Sequence, residues 1–538
     1  MDAPQETTAS SVTSKTCCPT WVQVGFVVAW VSLCGLGLWL VGGPLGVDGW
    51  FHLTVGQKMM IHGPLFEHFP WVSSSTWTTN YFDKEWLFHL ILGLLSLIDL
   101  RAAPVAMILL INGFLAWTLT HCARQLWPRI SLWLLLLIPL GTFGFANRML
   151  VVRPHIIAVG LTLLCLLALV KRRKALAACL IIVYSLSHAS QWQVIGMAFL
   201  ADLSFGLFEE DGKLRDNWKS PRNWFSAKTF NMTVVATCAL AVGTIIHPHF
   251  PNNIRGLWLQ NVEVLVGAWQ GGEENIVHLS RPGELRPMPL GVFAWKYGLL
   301  ILGLLAALYH TFRVRPRHPR WLWVFGAMSF LYLLMSLKSM RFAEFMVPVA
   351  GFSVIGYALH HGKSHNPLKI KQTLFTGVIV VFGLVINGWD LQRHYHPFPL
   401  YTKSASLIRK HLEPGELVFT TNWGDTPMLF HLAPEQRYLV FLDPMFMYRH
   451  DPKLYETWDA VRFGKNLDPV QTIKDVFGSR CVFINAPIPG FNQLSDGLYY
   501  QLQKSPLARR LDSGPSRIAI FLLDDKPILP PSPWPFAE

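Results

Sequence analysis

Runs of apolar residues long enough to cross a hydrocarbon core of about 30 Å recur along most of this chain, and they limit what it can fold into. By hydropathy, segments 21–41, 103–122, 131–146, 155–170, 175–188, 194–208, 231–247, 290–311, 321–337, 343–359 and 373–390 read as spans, about eleven helices in all. The composition agrees. Hydrophobic residues make up 51% of the 538 positions and charged residues 15%, where soluble domains carry roughly a quarter charged. The block at 21–41 is too long for a signal-peptide core and no small-residue cleavage site follows it, so it reads as an uncleaved anchor.

The net charge of +13 does not point to nucleic acid. Lys and Arg gather at the ends of apolar blocks, a topology signal, and no basic groove is interleaved with stacking aromatics. The eight cysteines form no CxxC pair and no zinc spacing, so neither a disulfide framework nor a structural metal is indicated. Segment 85–98 is apolar but shorter than a span and is placed as an interfacial helix on the outer face. With that placement the basic clusters at 124–129, 171–174, 213–228, 313–320 and 363–371 all fall on one side. The positive-inside rule makes that side cytoplasmic. The expected organisation is a cytoplasmic tail at 1–20, a membrane domain at 21–391 with its first outer loop at 44–102, an exported domain at 392–526 and a Pro-rich tail at 527–538. Within 392–526 short β-branched runs (417–421, 438–442, 481–485, 518–523) alternate with helix-like stretches (402–412, 468–477, 497–504), which suggests a small α/β domain with a partly parallel sheet.

The first outer loop carries Asp48-Gly49-Trp50-Phe51-His52-Leu53 and ends its helical stretch at Gly63-Pro64. Asp48 and His52 are four apart, so a helix puts both on one face. A carboxylate at the membrane boundary with an imidazole one turn away can act as a general base or a cation ligand. A solvated Asp capping an interfacial helix fits the same spacing. Glu85 and His89 share a face in the same way, beside Lys84. Cations are depleted on the outer side of a membrane protein, so those in the short outer turns need a reason. They are Arg148, Arg153 and His155 after the third span, His188 after the fifth, His247 and His249 after the seventh, and Lys338 and Arg341 after the ninth. A phosphate or pyrophosphate headgroup supplies one, with Arg giving bidentate contacts; snorkelling to lipid phosphates supplies another.

Asp48-Gly49-Trp50-Phe51-His52-Leu53 with Gly56, Gly63-Pro64 and Glu85-Trp86-Leu87 resembles the D-x-W-x-H-L opening of a bacterial membrane family related to GT-C glycosyltransferases. Arg153-Pro154, His188-Ala189, Asn422-Trp423-Gly424-Asp425 and Asp443-Pro444-Met445-Phe446-Met447-Tyr448 resemble its later motifs, with His247-Pro248 in place of Asn-Pro and Met445 in place of Arg. The wider class includes oligosaccharyltransferase catalytic subunits, protein O-mannosyltransferases and aminoarabinose transferases. The resemblance implies a bacterial inner-membrane enzyme that moves a sugar from a polyprenyl-phosphate-linked donor to a lipid, glycan or protein acceptor at the outer face. It implies Asp48 as the catalytic base or orienting group, with Glu85 as a second acid and His52 beside them. Phosphate contacts would come from Arg148, Arg153 and Arg341, with His155, His188, His247 and Lys338 as further substrate-binding residues. No Asp-x-Asp pair stands in the second outer loop, so no site for a divalent metal is indicated there and no cofactor is certain. A lipid-headgroup transporter and a non-catalytic assembly subunit with the same fold remain the alternatives.

Overall fold

The computed structural model describes residues 20–127, 130–210, 213, 230–263, 283–314, 319–361, 370–392, 398–485, 496–512 and 518–525. The 1–20 tail before Thr20, most of the 213–228 cluster and the 527–538 tail lie outside the described residues.

Among the described residues, five helices are long and apolar enough to cross a membrane: Thr20–Val41, Ala103–Leu126, Leu290–Tyr309, Arg320–Lys338 and Met340–His360. Several of the other expected spans are shorter. His155–Val170 has 16 residues and Lys174–Ser187 has 14, which at 1.5 Å per residue gives about 21–24 Å, less than a full hydrocarbon core. Large apolar side chains point outward from the long helices, among them Trp21, Trp39, Trp295 and Leu302. That is the arrangement expected where lipid replaces water.

Segment 131–146, read from sequence as one span, is not a continuous helix. It divides into a 3-10 turn at Leu132–Leu136, one α-turn at Leu137–Leu140 and a short helix at Phe145–Met149. Pro139 lacks a backbone donor, and Gly144 turns the chain at φ 99, a conformation open to glycine at little cost. The backbone groups released by the break find partners on neighbouring helices. Phe143 N–H donates to the Lys296 carbonyl at 2.9 Å, and Gly144 N–H donates to Asn387 Oδ1 at 3.3 Å. Irregular backbone at this depth is tolerated where it is enclosed by protein in this way.

Two hydrophobic cores result. One runs through the helical bundle, from Trp30 on the first helix to Phe352 near the last of the buried ones. The other belongs to a five-stranded sheet made of β1 (Leu417–Thr420), β2 (Arg437–Tyr438), β3 (Cys481–Asn485), β4 (Ala508–Arg510) and β5 (Ile518–Leu523), in the order β2-β1-β3-β5-β4. The β2-β1-β3 half is parallel and the β3-β5-β4 half antiparallel. β1 and β5 are buried throughout, as near-continuous apolar runs with covered faces should be.

The first loop joins the second core rather than standing apart from it. Phe51, Phe69, Trp77 and Tyr81 pack with Phe430, Tyr438 and Phe441. Val72 bridges to Tyr438, and Ser73 and Ser74 donate to the carbonyls of Tyr438 and Leu439, each at 2.9 Å. The loop thereby covers the free edge of β2, which would otherwise expose unpaired backbone groups.

The Asp48–His62 and Trp86–Ile98 helices cross through two glycines. A Cβ on Gly93 would stand 2.5 Å from the Gly56 carbonyl oxygen, and one on Gly56 would stand 2.8 Å from the Gly93 nitrogen. No side chain fits between these backbones. Gly93→Ala is expected to destabilise the protein by about 1–3 kcal/mol through overpacking. Thermal unfolding of the purified protein in detergent checks this, and an unchanged midpoint would contradict the close approach.

Candidate functional site

A cleft with an empty volume of about 1070 Å³, open mouth included, lies between the two cores. Connections at one end of the bundle form it: the segment after the first helix, the turn before His155–Val170, the turn between Lys174–Ser187 and Gln193–Leu207, and the turn between Arg320–Lys338 and Ala343–His361. The sheet side contributes Leu442 and Asp443. Asp48, His52, Glu85, Arg148, Arg153, His155, His188 and Arg341 all reach this cleft. His247 and Lys338 are not among its lining residues; Lys338 is exposed, and His247 is buried behind the first loop.

Glu284 ties the arginines together, and sequence reasoning did not single it out. It sits on the 3-10 turn Gly283–Leu285, fastened to the Arg341 turn by Ser339 Oγ donating to the Glu284 carbonyl at 3.2 Å and Met340 N–H donating to the Arg286 carbonyl at 3.2 Å. Arg153 Nη1 donates to Glu284 Oε2 at 2.6 Å, Arg148 Nη2 reaches the same oxygen at 3.4 Å, and Arg341 Nη1 stands 4.0 Å from Oε1. Burial raises the Glu284 carboxyl, but the three guanidinium groups outweigh it and hold the group well below its usual range. Arg153 also pairs with Asp48, and Arg148 with Glu344. Asp48 lies in the first turn of its helix, where the helix dipole favours negative charge.

On the other wall the glycine crossing sets His52 beside His89. His52 Nδ1 and His89 Nε2 are 2.7 Å apart, and His89 Nδ1 donates to Asp83 Oδ2 at 2.7 Å. Asp83 is fixed in turn: Glu85 N–H donates to its Oδ1 at 2.9 Å, and its own N–H donates to His249 Nδ1 at 2.6 Å. Burial acts to raise the Asp83 carboxyl, yet His89, His249 and the Glu85 amide bring it down to about 2. Burial first, then His89, keeps His52 well below the usual imidazole value. His247 takes the N–H of His249 on its Nδ1 at 3.2 Å. The His247-Pro248-His249 motif thus braces the loop that presents Asp83.

Two further groups complete the cleft. Leu442 adopts φ 64, an uncommon conformation for a branched side chain that costs on the order of 1–3 kcal/mol. This turn delivers Asp443, whose carboxyl is pushed up by burial to about 6 against the bond from Met445 N–H and the attraction of Lys84 and Arg341. His188 accepts from Ser190 N–H on Nδ1 at 3.1 Å, and burial, then Arg341, lowers its ring to about 3, so it stays neutral. His155 donates from Nε2 to the Arg148 carbonyl at 2.9 Å. Met445 is buried in the sheet core, and Asp425 of the Asn422-Trp423-Gly424-Asp425 motif bonds to Tyr401 and to Asn485 Nδ2, away from the cleft.

No family model matches this chain, and no curated protein matches it. Solved structures do. The apo oligosaccharyltransferase of Archaeoglobus fulgidus is 12% identical and aligns over 86% of this chain and 69% of its own, with a TM-score of 0.59. The same enzyme in complex with Zn and sulfate aligns over 86% and 68%, again at 12% identity, with a TM-score of 0.53. The arabinofuranosyltransferase AftD from Mycobacteria is 12% identical and aligns over 93% of this chain but only 42% of its own, with a TM-score of 0.54. At such identities the likeness is one of fold alone: this chain folds as the oligosaccharyltransferase and AftD structures do over most of its length.

Proposed function

We propose that this protein transfers a sugar from a polyprenyl-phosphate-linked donor to an acceptor at the outer face of the membrane. The observation that carries the proposal is the convergence of Arg148, Arg153 and Arg341 on one carboxylate in an open cleft. Three guanidinium groups around a single anion form a site matched to a phosphate, to which Arg binds in bidentate fashion. Glu284 holds that place at rest, and the donor phosphate displaces it. The acceptor O–H or N–H then attacks the anomeric carbon. The bond from that carbon to the phosphate oxygen breaks, and the electron pair leaves with the polyprenyl phosphate, stabilised by the arginines.

The acceptor's proton passes to a carboxylate in the cleft. Asp48 is fixed in place by Arg153, which suits it to orient the acceptor. Asp443, at about 6, titrates nearest the range where general bases work well. Lys84 and Glu85, 3.7 Å apart, border the acceptor side. In the proposed topology the cleft and the sheet lie outside and the basic clusters lie in the cytoplasm of a bacterial inner membrane.

Cells lacking the gene should lose a sugar modification of a lipid, surface glycan or protein, read by mass spectrometry. Wild type should restore it, whereas Asp48→Asn should lower transfer by roughly 10²-fold, the loss expected of a misplaced acceptor. Equal rescue by both constructs at equal expression would overturn Asp48's role. Sulfate keeps its charge between pH 5 and 8, so its binding to purified protein reads the charge of the cleft. Asp443 gains a proton as pH falls through about 6, which removes one negative charge near Arg341. Sulfate binding should therefore tighten on the order of tenfold from pH 8 to pH 5. Asp443→Asn should flatten that step, and Glu284→Gln should tighten binding at both ends.

A further inference from the structure

The wall opposite the arginines holds a cluster that sugar transfer, as proposed above, does not use. His52 and His89 come from different helices, 37 positions apart, and are both buried. Asp83 is a carboxylate and can only accept, so the proton on His89 is on Nδ1 and the lone pair of Nε2 faces His52 Nδ1 at 2.7 Å. The third member is Glu85. Its Oε2 is 3.5 Å from His52 Nδ1, buried, and has no hydrogen-bond partner. Lys84 faces its other oxygen. The donor atoms of His52, Glu85 and His89 all lie within 4.8 Å of one another.

A proton shared between two imidazoles accounts for the close ring contact. It leaves the buried Glu85 oxygen unsatisfied, an expensive arrangement for a carboxylate. A cation among the three groups satisfies all of them. We propose that His52 Nδ1, His89 Nε2 and the Glu85 carboxylate bind one divalent first-row transition-metal ion, with a further coordination position open to the cleft that His52 and Glu85 line.

The chemistry of the donor set supports the choice. Two imidazoles and one carboxylate suit zinc, iron(II) or manganese better than calcium or magnesium, which prefer oxygen ligands. Asp83 supplies the outer carboxylate that orients a metal-bound imidazole through its far nitrogen. On binding, His52 keeps one proton by moving it from Nδ1 to Nε2, so both rings ligate as neutral groups. Two nitrogens on a tetrahedral zinc stand about 3.3 Å apart, so the rings separate by about half an ångström from their present 2.7 Å. The site stands whether or not the arginine cluster binds a donor phosphate, because its evidence is confined to the histidine wall.

The test uses full-length protein purified in detergent, stripped with chelator and titrated with Zn²⁺ alone. Retained metal is counted by elemental mass spectrometry, and Co²⁺ substitution reports coordination through its visible bands. Wild type should retain one zinc per chain. Glu85→Gln and His89→Ala should each weaken binding at least tenfold and alter the cobalt spectrum, and Asp83→Asn should weaken it by about 10–100-fold. Thermal unfolding checks that each variant is folded; if His89→Ala is not, the near-isosteric Glu85→Gln decides. No stoichiometric zinc in wild type, or equal zinc in a folded Glu85→Gln protein, overturns the proposal.

Discussion

Three arginines that arrive on separate connections would repel one another at the edge of a low-dielectric bundle, and a single carboxylate makes their meeting possible. Glu284 receives Arg153 at 2.6 Å and Arg148 at 3.4 Å, with Arg341 at 4.0 Å. Asp48 and Glu344 neutralise two of the three from their far sides. The helices that carry these groups are therefore held in register at their ends by charge as well as by packing along their lengths. Removing one partner from such a network leaves a partly buried charge uncompensated, which costs more than the pair contributes when whole.

The same layer is where the bundle and the sheet are joined. Irregular backbone is excluded from lipid, so the turns that hold Arg153, His188 and Arg341 collect at the helix ends, and a second core must cover them. The first loop supplies the join. Its aromatic residues enter the sheet core while Asp48 and His52, on the helix between the two cores, face the cleft. Thr54 Oγ1 reaches His431 Nδ1 at 3.1 Å, and Lys58 Nζ donates to the Pro434 carbonyl at 3.2 Å, so the loop helix is pinned to the sheet side from below.

Much of this was legible in the sequence. Of the outer-turn cations that the sequence puts on one side of the membrane, Arg148, Arg153, His155, His188 and Arg341 line one cleft, whereas His247 and Lys338 do not. The four-residue spacings of Asp48 with His52 and Glu85 with His89 placed each pair on a common face, which they are. What remained hidden depends on long-range contact. Glu284 sits in a polar stretch with Arg, Pro and Gly, where a carboxylate looks like any solvated one. Nothing local says that His52 meets His89, because the meeting is set by Gly56 against Gly93. The break in segment 131–146 was masked by apolar residues on both sides of Gly144, since hydropathy averages over a kink. The strand at Ala508–Arg510 is short and polar and carries no alternation to find.

Asp48 and His52 connect the two walls. They stand one turn apart on the same helix, Asp48 held by Arg153 and His52 held by His89. Arg153 is shared between Asp48 and Glu284. An anion that displaces Glu284 would compete for Arg153 with Asp48 as well, and any loosening of that pair is felt at the first turn of the helix. One turn beyond His52, Gly56 packs against Gly93 with no room for a side chain between the two backbones. The two walls of the cleft are thus held differently, one by side-chain ion pairs and the other by a backbone-to-backbone contact.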